Sequence, residues 1–326
     1  MIRFAERTGD AAVPAIIDRL TAPVTVAVRG RAGVGRRTVA GALSAAGVPV
    51  TADAADVTVL VTAETLKPED RAVLAGLDGP ALVVLNKADR TGWGGAGPID
   101  QARRRAGELQ TLTGVPTVPL VGLLAAVRLD AGLTTALQVL ARETSDIRTF
   151  SSTDAFLTGG HPPAAETRAR LLRTLDRFGI ACAVLALSGG ADPAALPGVL
   201  RRVSGLDEVL HRLHTVAAPV RYRRIRAAVA DLQAAAVRRD DTRLARLLTG
   251  DAVVLATMRA AEEVMRAAGL ATPDGADRAA RLRRAVHWHR YSRGPVGPLH
   301  RACARDICRG SLRLAGARAG VGSPDS

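Results

Sequence analysis

Short runs of β-branched and aliphatic residues alternate with amphipathic, alanine-rich stretches through the first half of the chain. The apolar runs are VTVAV (24–28), DVTVLVT (56–62), ALVVLN (81–86) and PTVPLVG (116–122). Their length and composition predict strands. Between them, apolar positions recur at helical spacing over 37–46, 68–77, 101–113 and 132–143. Strand–helix–strand repetition predicts a parallel sheet with helices on its faces, and such sheets bind ligands outside the carboxyl ends of their strands. After residue 145 the strand signals stop. SSTDAFLTGGHPP (151–163) reads as a linker or hinge, and helices are predicted over 165–187, 194–202, 206–215, 219–239, 242–268, 276–291 and 299–315. Their breaks fall at SGGADP, VAAP, GLATPDG and SRGPVGP, which are turn-forming compositions. The expected organisation is an α/β domain over 1–148, a linker over 149–163, an α-helical domain over 164–318 and a disordered tail over 319–326.

Composition changes this picture in three ways. A hydrophobic fraction of 48% in 326 residues is enough to bury a core in each domain. No apolar run approaches the roughly 18 residues of a membrane span, and MIRFAERTGD carries acids where a signal peptide has its apolar core. The expectation is a cytoplasmic protein without a transmembrane segment, able at most to sit peripherally on a membrane. Three cysteines, Cys182, Cys303 and Cys308, form no disulfide framework. The net charge of +14 is carried almost wholly by arginine, since Lys67 and Lys87 are the only lysines. Alanine, arginine and glycine dominate together, as GC-rich coding would produce. The excess nevertheless sits in one place: residues 1–150 carry 17 basic and 15 acidic groups, residues 151–326 carry 28 and 16. Arg221, Arg224 and Arg238 line one helix of that half. They suit a solvated face or a docking surface for an acidic protein, membrane headgroups or RNA.

Two segments carry candidate chemistry. GRAGVGRRT (30–38) follows the first strand with glycines at the spacing of G-x-x-x-x-G-K-[ST], in which backbone N–H groups surround a phosphate, the lysine reaches its oxygens and the hydroxyl binds Mg²⁺. Gly30, Gly33 and Gly35 keep the glycines, while Arg36 takes the lysine position and Arg37 the hydroxyl position. A one-residue slip would make Arg37 the cation and Thr38 the hydroxyl. Arginine neutralises phosphate but does not ligate Mg²⁺, which puts a bound Mg²⁺ in question. The segment also fits a glycine-rich turn opening an ordinary βα unit. VVLNKAD then places an N-K-x-D tetrad directly after a strand. Asp89 would accept hydrogen bonds from guanine N1–H and N2, Asn86 would brace the loop, and the Lys87 stem would pack over the base; a polar turn capping the next helix is the plainer alternative. Val121 and Gly122 follow the next strand, where a loop would close over the base.

With these segments, residues 24–140 resemble a translation-factor-type GTPase domain of the Era or dynamin-like kind. The arginine- and alanine-rich helical half, including RRVSGLDEVLHRL (201–213) and RAAVADLQAAAV (226–237), resembles in composition the accessory helices of actinobacterial dynamin-like GTPases. The resemblance implies an α/β P-loop fold, GTP or GDP as ligand, phosphate binding by Gly30, Gly33, Gly35, Arg36, Arg37 and Thr38, and guanine binding by Asn86, Lys87, Asp89, Val121 and Gly122. It also implies a protein partner, such as a complete dynamin-like GTPase. The departure from the family is large. Relatives hold switch I, with its threonine, and the D-x-x-G of switch II between the phosphate loop and N-K-x-D; here only 50 residues separate Arg36 from Asn86, and no D-x-x-G occurs there. Hydrolysis needs those parts. The expectation is therefore a pseudo-GTPase with no assigned catalytic residue. A basic RNA- or ribosome-associated protein with a residual nucleotide fold, and a slow GTPase completed by a partner, stay open. Asp53 and Asp56 carry no surrounding motif, and His287, His289, His300, Cys303 and Cys308 match no zinc-module spacing, so no metal site is assigned.

Overall fold

The computed structural model describes residues 12–92, 97–143, 152–160, 162–273 and 275–316. In chain order the elements are α1 (Ala12–Thr21), β1 (Val26–Arg29), α2 (Arg36–Ala45), β2 (Val50–Thr51), β3 (Val57–Ala63), α3 (Pro68–Ala75), β4 (Ala81–Asn86), α4 (Pro98–Thr113), β5 (Thr117–Leu120), α5 (Gly122–Ala125), α6 (Ala131–Glu143), α7 (Thr153–Thr158), α8 (Ala165–Ser188), α9 (Leu196–Ser204), α10 (Leu206–Val216), α11 (Ala218–Arg238), α12 (Thr242–Thr249), α13 (Asp251–Ala267), α14 (Arg278–Arg293) and α15 (Pro298–Gly316). Single 3₁₀ turns stand at Ala88–Arg90 and Pro193–Ala195. A parallel α/β part followed by a largely helical C-terminal half is thus observed.

The five strands form one parallel sheet in the order β2-β1-β3-β4-β5. This is a doubly-wound order whose direction of progression reverses between β1 and β3. Val59, Leu60, Val61 and Thr62 of β3, and Leu82 to Leu85 of β4, are fully buried. Such unbroken runs are what a central parallel strand, covered on both faces, requires. β2 is two residues long and has no periodicity to betray it; it is strand only because Val50 and Thr51 pair with Val26 and Ala27.

The chain divides into two compact units, one of Thr25–His214, the other of Met1–Val24 with Thr215–Ser326. The linker expected over 149–163 is therefore not where the units part. Phe156 of α7, Leu171 and Leu175 of α8 and Leu200 of α9 share one core with Leu124, Leu137 and Leu140 of α5 and α6. The change from alternating elements to helices marks a change of secondary structure, while the apolar face of α8 still needs burial and finds it against α6. α8 is broken at Asp176, whose backbone stands at φ 53° and ψ 176°.

The second unit packs α1 with α11 to α15. Tyr222, Met258, Met265, Trp288, Cys303 and Ile307 form one core; Val13, Ile16, Leu232, Leu244 and Leu248 form another. The helix expected over 242–268 is two helices, because Gly250 adopts extended backbone between α12 and α13. Among the described residues no helix is long and apolar enough to cross a membrane. The tail over 319–326 lies outside the described residues.

Candidate functional site

β1 leads into a turn that only glycine can make. Gly30, Gly33 and Gly35 have φ of 147°, 82° and 87°. A Cβ on Gly30 would stand 2.5 Å from the Val61 carbonyl of the adjacent strand, and one on Gly35 would run into the Asn86 amide nitrogen. α2 begins directly after Gly35 with no side chain capping it. The first-turn N–H groups of a helix have no intrahelical acceptor and carry the positive end of its dipole, an arrangement suited to an anion. Arg36, Arg37 and Thr38 are exposed there, and Arg36 Nη1 lies 3.5 Å from the Gly30 carbonyl, a long contact that folds the guanidinium back across its own loop. A cleft of about 640 Å³ opens beside the loop, lined by Gly30, Arg31, Arg36, Arg37, Thr51 and Asp70 among others. It lies at the β1/β3 reversal, where open parallel sheets place their ligands.

Asn86 ends β4 and is 4% exposed. Its Nδ2 donates to the Val34 carbonyl (2.9 Å), and its Oδ1 accepts from the Gly122 N–H (2.9 Å). One buried amide therefore ties together the glycine loop, the N-K-x-D segment and the segment after β5. Gly122 has to be small for this: a Cβ there would sit 2.8 Å from Asn86 Oδ1. Val121, 4% exposed, donates its N–H to the Ser204 carbonyl at 2.9 Å, and Gly122 opens the helical turn α5. Lys87 takes left-handed backbone (φ 59°, ψ 40°) and Ala88 is buried.

Asp89 follows on the 3₁₀ turn, half-buried. Burial raises its carboxyl above the ordinary range, and the charge of Asp176 adds to the rise, against opposing hydrogen bonding from its own backbone and the nearby Arg90 and Lys87. Burial likewise pushes the Cys182 thiol up to about 11, with Asp89 contributing. The Asp89 carboxylate is thus electrostatically coupled to Asp176 and Cys182 of α8. That helix packs closely on the neighbouring turn, since a Cβ at Gly179 would meet Leu124 Cδ2 at 2.6 Å. Sequence reading missed the involvement of α8. The only hint was the pair Asp176 and Gly179, poor helix formers inside an apolar helical run.

A second group that motif reading missed is Asp70, 1% exposed in the first turn of α3. Both its oxygens accept from Arg31 Nε at 3.1 Å, and one also takes the Lys67 N–H (3.1 Å) and the Thr62 hydroxyl (3.3 Å). Arg31 is thereby committed within the protein, while Arg29, Arg36 and Arg37 are exposed and line the cleft. Asp56 lies at the other end of the sheet, where it accepts from Thr25 N–H (2.8 Å) and Thr25 Oγ1 (3.0 Å). Asp53 is exposed just beyond β2. Among the described residues no three His, Cys, Asp or Glu side chains gather to hold a metal ion. Cys303 is fully buried, Trp288 is 1% exposed, and His300 Nδ1 is 3.1 Å from the Tyr291 hydroxyl. No family model, no curated protein and no solved structure matches the chain.

Proposed function

We propose that the protein binds a guanine nucleotide in a shortened, GTPase-like P-loop unit and acts as a regulator or scaffold, with little or no hydrolysis of its own. The observation that carries the reading is Asn86: a buried amide that joins the glycine loop to the segment after β5, beside a carboxylate placed three residues on. The phosphates would lie against the first-turn amides of α2, neutralised by Arg36 and Arg37, and the base would reach Asp89. GTP or GDP is the ligand of this reading. Arg37 stands where a Mg²⁺-binding hydroxyl would be, and its guanidinium supplies charge without coordinating metal. Between the end of α2 at Ala45 and the start of β3 at Val57 lie only eleven residues, two of them β2, too few to hold the switch segments that fold over a γ-phosphate and position water. The helical unit would then dock a protein partner, for which a complete dynamin-like GTPase is the proposed candidate.

Calorimetric titration with GTP, GDP and ATP, each with and without Mg²⁺, tests this on the wild type and Asp89→Ala. Guanine nucleotides should bind in preference to ATP, with similar affinity whether or not Mg²⁺ is added. Loss of the charge-assisted hydrogen bonds in Asp89→Ala should weaken that binding about tenfold or more. Failure of every nucleotide to bind, or equal affinity for ATP, overturns the reading.

A further inference from the structure

The second unit carries a charge imbalance that its fold uses only in part: Arg281 donates to the Leu314 carbonyl (2.7 Å), Arg284 to the Ser311 hydroxyl (2.9 Å) and Arg301 to the Val296 carbonyl (3.0 Å). Over residues 278–316, α14, α15 and their connection hold ten arginines and one acidic residue, Asp306. Asp306 is already engaged, accepting from the Tyr222 hydroxyl at 2.7 Å with Arg226 at 3.9 Å. Arg305, Arg309 and Arg313 recur one turn apart on α15, so their side chains share a face. They line a cleft of about 670 Å³ with His289 of α14 and Asp251 of α13. Among the described residues Asp251 is the only carboxylate lining that cleft, and it accepts from Arg313 at 3.3 Å. Arg305 and Arg309 are exposed. Like charges at i,i+4 oppose helix formation, so the row acts against the stability of α15 until an anion neutralises it.

We propose that this cleft binds a phosphate-bearing anion through Arg305, Arg309 and His289, independently of any nucleotide at the glycine loop. Guanidinium forks match the paired oxygens of phosphate. The ligand is read through its phosphate and not through a base, because among the described residues no Trp, Tyr or Phe lines the cleft. A soluble polyphosphate and a phospholipid headgroup share the chemistry required.

The test uses the full chain in low salt. Inorganic pyrophosphate is titrated calorimetrically, and vesicles of phosphatidylglycerol in phosphatidylcholine are co-sedimented with the protein. Both are repeated with Arg36→Gln/Arg37→Gln, which removes the glycine-loop cations, and in that background with Arg305→Gln/Arg309→Gln or, as a control for bulk charge, with the exposed pair Arg243→Gln/Arg246→Gln. In the Arg36→Gln/Arg37→Gln background binding should remain, weaken about tenfold or more when Arg305→Gln/Arg309→Gln is added, and be kept when Arg243→Gln/Arg246→Gln is added. Binding of pyrophosphate identifies a soluble ligand; binding of vesicles alone identifies a headgroup. The proposal is overturned if neither probe binds, if the control loses as much as the Arg305/Arg309 pair, if binding disappears only with Arg36 and Arg37, or if single-stranded RNA binds through the pair more tightly than either probe.

Discussion

Replacing Asn86 by alanine removes the side chain that joins the glycine loop to the segment after β5. Two hydrogen bonds are lost, to Val34 and from Gly122, both 2.9 Å and both buried. Each is worth about 1 kcal/mol net, and leaving a buried carbonyl and a buried N–H unsatisfied raises the cost to about 2–4 kcal/mol in all. The unit that holds Asn86 runs from Thr25 to His214. For a unit of that size each kcal/mol moves the midpoint by about 2–4 °C, so its thermal transition should fall by roughly 4–16 °C. Differential scanning calorimetry of wild type and Asn86→Ala measures this, with urea unfolding followed by far-ultraviolet circular dichroism as the isothermal check. Asn86→Asp gives a second arm, since an aspartate still accepts from Gly122 but sets an oxygen against the Val34 carbonyl. It too should be destabilised. A loss below about 0.5 kcal/mol in Asn86→Ala, in the range of an ordinary surface substitution, would refute the role given to the bridge and remove the main support for the proposed nucleotide site.

Other outcomes follow from single contacts. Asp70→Ala leaves Arg31 without its carboxylate and Lys67 N–H without its acceptor; because Arg31 is partly exposed, the expected loss is about 2 kcal/mol in urea unfolding, and a change within 0.5 kcal/mol would show the pair to be idle. Gly310→Ala would drive a methyl into the Met258 side chain, with its Cβ 2.7 Å away, so overpacking should cost about 1–3 kcal/mol in the helical unit; an unchanged melting temperature would contradict that close approach. The carboxyl of Asp89 is raised in the folded state, so the native protein holds its proton at pH values where the unfolded chain, near 3.9, has lost it. Its contribution is therefore full at low pH and is lost as pH rises through the folded value; urea midpoints of wild type and Asp89→Asn should diverge in the variant's favour as pH increases from about 4, and parallel curves would refute the assignment. Burial pushes the thiols of Cys182 and Cys303 up to about 11 and about 12, so iodoacetamide at pH 8 should leave both unmodified in the native protein and label them after denaturation, as read by mass spectrometry.

Local chemistry settled a good part of this molecule. The apolar runs around Val59 and Val83 have no polar alternation, so they had to be central strands of a covered sheet, and the glycines at 30, 33 and 35 had to mark a turn that side chains would block. The helices of the second half followed from the spacing of their apolar positions, and Asp241 and Asp277 cap α12 and α14 as their sequence positions allow. Contacts between distant residues decided the rest. Asn86 meets Val34 and Gly122 across 52 and 36 positions, and Arg31 meets Asp70 across 39. No periodicity encodes such pairings, because each depends on which strands lie side by side. The same holds for β2, a strand only by virtue of its neighbour, and for α7 to α9, whose apolar faces were legible but whose partner was not. Sequence fixes which surfaces need burial; the strand order and the packing of helices α5 to α9 determine what buries them, and with that where the candidate site opens and which carboxylates surround it.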